Sequence, residues 1–77
     1  MQSVEKALFV VERTNELGRM DGRILAKAPG WDRVQASRYL TTLARLGWLE
    51  RLTGNGRPVY VLGRKLLALG LSRDLRI

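Results

Sequence analysis

The spacing of apolar residues predicts a well-defined helix over residues 33–46. Its apolar positions share one side of a 3.6-residue repeat and are Ala36, Tyr39, Leu40, Leu43 and Leu46. Asp32 is the expected N-cap, and Gly47 is the expected left-handed residue at the C-terminal end. The pattern therefore predicts both ends of this helix.

Two further helices are predicted before it. The first has Ser3 as its expected N-cap and ends near Gly18, and its expected inward stripe is Val4, Ala7, Leu8, Val11 and Leu17. Glu5 and Glu12 are expected to face outward. The second runs from a cap at Asp21 to Ala28, and Pro29-Gly30 stops it. A short helix, a tight break and a capped helix together predict a helix-turn-helix.

Trp31 falls in this predicted turn. We expect it to fill the space between the helices, and a platform for base stacking is the alternative.

After Gly47 the apolar pattern becomes alternating. Residues 48–52 and 59–62 are predicted strands, and Asn55-Gly56 between them is a strong hairpin signal. The segment 53–58 is therefore a predicted wing. Leu66 to Leu71 then form a helix that is apolar almost all round, so we expect it to meet a second copy or a further domain. Residues 72–77 are expected to be the start of a linker or a frayed end.

Composition removes several classes of function. The chain has 77 residues, enough for one small domain, and it contains no Cys and no His. A zinc finger, a thiol nucleophile, an imidazole base and a disulfide framework are thereby excluded, and we expect no catalytic site, cofactor or metal. No apolar run approaches the ~20 residues that cross a bilayer, and no signal-peptide pattern opens the chain, so we expect a cytoplasmic protein without membrane contact.

The net charge of +7 is unevenly distributed. Residues 1–32 contain equal numbers of basic and acidic residues, so the whole excess begins at Arg33. The outer side of the predicted helix 33–46 carries no acid, unlike an ordinary solvated helix face. We interpret it as a DNA recognition helix, and an amphipathic core helix with a few basic residues is the alternative.

Side-chain chemistry divides the candidate contacts into two sets. Those expected to reach base edges in the major groove are Arg33, Val34, Gln35, Ser37 and Arg38. Arg38 suits guanine, Gln35 suits adenine through two hydrogen bonds, and Val34 suits a thymine methyl group. Those expected to hold the DNA backbone are Thr41, Thr42, Arg45, Arg51 and Arg57. At the hairpin tip Arg57 suits a phosphate or the minor groove, and a solubilising loop residue is the alternative.

The chain resembles the N-terminal DNA-binding domain of the IclR (isocitrate lyase regulator) family of bacterial transcription factors. The resemblance runs from Ser3 to about Gly70 and rests on the order and spacing of several segments. These are Ser3-Val4-Glu5-Lys6-Ala7-Leu8, Gly30-Trp31-Asp32-Arg33, Arg38 to Leu43, Leu46 to Arg51, Tyr60 to Gly63 and Leu66 to Gly70.

The resemblance implies a mainly α fold with a small β-hairpin wing. Residues 1–63 would form a winged helix-turn-helix, and residues 64–77 a linker helix. It also implies transcription regulation by binding of a palindromic double-stranded DNA operator as a homodimer or tetramer, and a small-molecule effector bound by a further domain absent from these 77 residues. We therefore expect the chain to be a fragment of a longer regulator.

Two other classes of function are weighed against DNA binding. A winged helix used for protein interaction or oligomerisation would explain the leucine-rich end. A nuclease or nucleotide-binding unit is disfavoured because the chain lacks paired acids on one face and a phosphate-cradling glycine loop before a helix.

Overall fold

The computed structural model describes residues 2–53 and 56–75, which contain four helices and one antiparallel hairpin that follows the third helix. In chain order the elements are α1 (Gln2–Leu17), α2 (Gly22–Ala26), α3 (Arg33–Leu46), β1 (Leu49–Leu52), β2 (Val59–Leu62) and α4 (Arg64–Leu75). The mainly helical class with one small hairpin is therefore confirmed.

Both predicted ends of α3 are confirmed. The Asp32 side chain accepts a hydrogen bond from the Gln35 backbone N–H at 2.8 Å, and Gly47 ends the helix with a φ of 92°. Glycine tolerates this left-handed conformation without the steric penalty of a Cβ. Ala36, Leu40 and Leu43 are buried as predicted, but the prediction for Leu46 is wrong, because this last residue of the helix is exposed.

The predicted start of α1 is wrong, and its predicted inward face is right only for Ala7, which packs against the core, and for the half-buried Val11. The helix begins at Gln2, so Ser3 lies inside its first turn instead of capping it. The buried residues are Val10 and Thr14, whereas Val4, Leu8 and Leu17 are exposed. A polar residue can occupy the core here because the Thr14 hydroxyl donates to the Val10 carbonyl oxygen at 2.7 Å. The helix face that carries Val4, Leu8 and Leu17 is the one exposed to solvent.

The second helix is shorter than predicted. Asp21 caps it as expected, by accepting a hydrogen bond from the Ile24 N–H at 2.9 Å, but the helix ends at Ala26 instead of Ala28. Pro29 disfavours a helical conformation at the residue before it, and the chain turns through Gly30 at a φ of 83°. This turn leads directly into the cap of α3.

The hairpin has the predicted strands, and β1 begins one residue late, at Leu49. Leu49 pairs with Leu62, and Leu52 pairs with Val59, which fixes an antiparallel register. Met20 adds a bridge on the other edge of β2, where it exchanges two backbone hydrogen bonds of 2.7 Å with Tyr60. This bridge was not predicted from the sequence. Gly54 and Asn55, part of the predicted turn, lie outside the described residues.

One core joins these elements. The buried apolar side chains come from every element between α1 and β2 and from the Met20 bridge: Val10, Met20, Leu25, Ala36, Leu40, Leu43, Leu49 and Tyr60. Because α3 contributes three of them, contacts with the core hold the inner side of this helix along most of its length.

The last helix begins where the chain passes closely over the end of α3. A Cβ at Gly63 would collide with the Gly47 carbonyl oxygen, and the Gly63 N–H donates to the Trp48 carbonyl oxygen at 2.8 Å. Only glycine fits this approach. The helix then continues to Leu75, so the chain does not fray from Ser72, and the expectation of a linker there stays a prediction. Arg76 and Ile77 lie outside the described residues.

Candidate nucleic-acid interface

The exposed side of α3 is the candidate interface, and most of the residues predicted for it are accessible. Val34 is 69% exposed, although an apolar residue of this size is usually buried. The other exposed members are Arg33, Ser37, Arg38, Thr41 and Arg45. Gln35 and Thr42 are half-buried. The face predicted from helical periodicity is therefore the face that solvent reaches.

Two surface grooves flank this face. The first, here called the α1-side groove, lies between α3 and the start of α1. It is lined by Ser3, Asp32, Val34, Gln35, Arg38, Tyr39 and Thr42. Its charged side chains are one arginine and one aspartate, and the remaining side chains, three hydroxyls, one amide and one valine, are uncharged.

The second groove, here called the hairpin-side groove, lies between α3, the start of α2 and the hairpin. It is lined by Asp21, Gly22, Arg23, Arg33, Ser37, Arg57 and Pro58. Three arginines and one aspartate give it a positive excess, and the aspartate already accepts the N-terminal hydrogen bond of α2. Arg57 therefore lies beside α3, as the sequence predicted.

The structure brings some predicted contacts together and separates others. Arg33 and Ser37 face the hairpin side, whereas Val34, Gln35, Arg38 and Thr42 face the α1 side. Thr41, Arg45 and Arg51 line neither groove. Arg51 is exposed on β1 opposite Tyr60, so it does not join Arg57 in the hairpin-side groove.

Sequence reasoning missed Arg23 and Lys27 on and just after α2. Together with Arg33 and Ala26 they line a further surface depression, which extends the basic region along α2. Their spacing of four residues places them on one side of the chain, and this was a usable signal. It was hidden because residues 1–32 have no net charge when counted together.

The basic side chains of this region form no ion pair with any other side chain that the structure describes. Among the side chains that the structure describes, those of residues 3–53 and 56–69, the one ion pair within 4.0 Å joins Arg13 and Glu16 on α1, at 3.4 Å. The arginines of α3 and the hairpin thus keep their charge available for an external anion.

Trp31 occupies the predicted position between helices. Its ring lies 6.0 Å from Phe9 of α1 in a stacked arrangement and 5.0 Å from Tyr39 of α3 in an edge-to-face arrangement. All three rings are half-buried and pack against the core, which favours the space-filling interpretation over a platform for bases.

Neither a metal site nor a membrane span emerges from the described residues. No group of three His, Cys, Asp or Glu side chains lies close enough together to hold an ion. None of the helices combines the length and apolarity that crossing a bilayer requires.

No protein-family model and no curated protein matches the chain. The resemblance to the IclR family therefore stays a prediction.

Proposed function

We propose that the protein is the winged helix-turn-helix DNA-binding domain of a bacterial transcriptional regulator similar to the IclR family. In this proposal α2 and α3 form the helix-turn-helix, α3 enters the major groove of double-stranded DNA, and the hairpin is the wing. One observation carries the proposal: the exposed face of α3 lacks acidic residues and has Arg57 of the hairpin beside it.

The two grooves suggest different roles along the duplex. On the α1 side, Gln35 and Arg38 present amide and guanidinium donors, which suit the edges of bases, and the neighbouring Val34 suits a thymine methyl group. On the hairpin side, Arg23, Arg33 and Arg57 suit phosphates. We therefore assign Arg33 to the backbone instead of the bases, because it shares its groove with two other arginines. Ser37 stays assigned to a base.

The larger biological setting is part of the same proposal. A cytoplasmic regulator of this kind would bind a palindromic operator as a dimer or tetramer, with half-sites ~34 Å apart, one turn of the duplex. The segment 64–77 would be the linker helix to an effector-binding domain, and α4 lies within it.

Selection from a pool of randomised duplexes, followed by anisotropy titrations across a salt series, tests the proposal. We expect a selected duplex to bind more tightly than a scrambled one, and both affinities to fall steeply with salt. Arg13→Ala is the control, because it removes one exposed positive charge from α1, away from both grooves. Failure of the wild-type protein to bind duplex DNA at low salt would refute the proposal.

A protein-interaction or oligomerisation module is the second candidate, and α4 supplies the observation that favours it. Leu67 and Leu69 are 52% and 56% exposed, so this helix leaves apolar surface uncovered. Retention on heparin distinguishes the candidates, because a module without affinity for DNA would elute at low salt.

A further inference from the structure

Lys6 of α1 reaches across to the start of α3, although the two segments are far apart in sequence. Its ammonium group donates to the Gln35 side-chain oxygen at 2.6 Å, over a separation of 29 positions, and to the Gly30 carbonyl oxygen at 3.1 Å. The same group lies 4.8 Å from the centroid of the Trp31 ring. One cation thus contacts the turn before α3 and a candidate base-reading residue within α3.

The chemistry of lysine fixes which way the Gln35 amide faces. An ammonium group only donates hydrogen bonds, so the atom of the amide that faces it must be the oxygen. The Gln35 backbone N–H is itself held by the Asp32 cap at 2.8 Å. Main chain and side chain are therefore both anchored, and the amide nitrogen with its two N–H donors is the part left for a ligand.

We propose that Lys6 is a positioning residue that makes Gln35 a hydrogen-bond donor toward DNA and thereby sets its base preference. The inference rests on the proposed DNA-binding function and deepens it. A glutamine pairs with adenine through its oxygen and its nitrogen together, whereas guanine offers two acceptors, N7 and O6, in the major groove. With the oxygen turned to Lys6, Gln35 favours guanine over adenine, which replaces the adenine assignment made from the sequence.

Lys6→Met is the informative substitution. Methionine keeps an unbranched apolar stem beside Trp31 but removes the donor that holds the amide. The amide then rotates freely, and adenine becomes acceptable at the position that Gln35 reads. Gln35→Ala identifies this position, because it removes the preference there, and Lys6→Arg should retain the preference by keeping a cationic donor.

Lys27→Met is the matched control for charge. Lys27 is exposed and lies at the end of α2, so its loss removes the same charge without touching Gln35. It should weaken binding to all duplexes alike and leave the base preference unchanged.

The experiment measures relative affinities for four duplexes that differ only at the position identified with Gln35→Ala. We expect the wild-type protein to favour guanine over adenine by about fivefold or more, and Lys6→Met to bring this ratio close to one. The side-chain amide protons of Gln35, observed by NMR in the free protein, provide a readout without DNA. They should show a rigid amide in the wild type and a mobile one in Lys6→Met.

The outcomes separate the two proposals. If the wild-type protein selects a sequence but Lys6→Met leaves the guanine-to-adenine ratio unchanged, or Gln35→Ala alters no position, the role of Lys6 is refuted and DNA binding stands. A free-protein amide of Gln35 that is equally mobile with and without Lys6 also refutes it. If the wild-type protein binds no duplex, both proposals fail.

Discussion

The two grooves beside α3 differ in what they offer to a ligand, although they share the same helix. The hairpin-side groove carries Arg23, Arg33 and Arg57 against one aspartate, and the α1-side groove carries Arg38 and Asp32 among uncharged polar groups. Excess positive charge attracts any phosphate backbone, whereas directed donors and acceptors discriminate between bases. Under the proposed DNA-binding function, one flank of a single helix would supply affinity and the other would supply selectivity.

The largest expected effect comes from removing the support that both grooves share. Leu40 lies on the inner side of α3 and is 1% exposed, and Leu40→Ala should lower the free energy of unfolding by about 2–5 kcal/mol because it leaves a cavity. Chemical denaturation measures this loss. Leu46→Ala, at the exposed end of the same helix, is the control and should cost much less. Equal losses would mean that α3 is not anchored through its middle.

Arg38→Ala tests the selective flank. We expect a loss of about 1–3 kcal/mol in binding free energy on the selected duplex and a relaxed preference at one base position, since a guanidinium pairs with guanine through two hydrogen bonds. Titration of selected and scrambled duplexes measures both. If the two duplexes lose equal affinity, Arg38 binds the backbone and the division between the flanks is wrong.

The Asp32 carboxylate has two roles, because it caps α3 and also places a negative charge in the α1-side groove. Asp32→Ala removes the N-cap of α3 and should lower the free energy of unfolding by about 1 kcal/mol. Asp32→Asn keeps a capping oxygen, so it should preserve stability while removing a negative charge near the duplex. Denaturation and DNA titration of both variants separate the effects, and tighter binding by Asp32→Asn to all sequences is expected. An unchanged affinity would place Asp32 away from the DNA.

Arg57→Ala tests the charged flank and has the smallest expected effect. It should weaken binding to selected and scrambled duplexes alike and reduce the salt dependence by about one unit of slope. Arg51→Ala is a useful comparison because Arg51 is exposed on the same hairpin but lines neither groove. A slope that Arg57→Ala leaves unchanged would remove Arg57 from the interface.

Local signals predicted the parts of the fold that depend on neighbours in sequence. Asp32 and Gly47 bracket α3 because capping and left-handed exits involve residues only a few positions apart. The inward face of α1 was harder to predict. Its apolar residues lie on two adjacent sides, and the buried side includes the polar residue Thr14, whose burial is tolerated because its hydroxyl bonds within its own helix.

Contacts between distant segments were not predictable from one sequence. Neither the Met20 bridge to Tyr60 nor the Lys6 contact with Gln35 leaves a periodic pattern, since each depends on how complete elements pack. In the candidate site, the outer face of α3 was predicted, but its division into two grooves required the positions of α1, α2 and the hairpin. Arg23 was missed for a different reason, because residues 1–32 have no net charge when counted together.

The paired backbone hydrogen bonds of Met20 and Tyr60 have a consequence for binding. They join the segment that leads into α2 to the strand that follows Pro58, so the two walls carrying Arg23 and Arg57 are tied together before any ligand arrives. Such preorganisation lowers the entropic penalty of association. The amide hydrogens of Met20 and Tyr60 should accordingly exchange with solvent more slowly than most amide hydrogens of β1 and β2, with or without DNA.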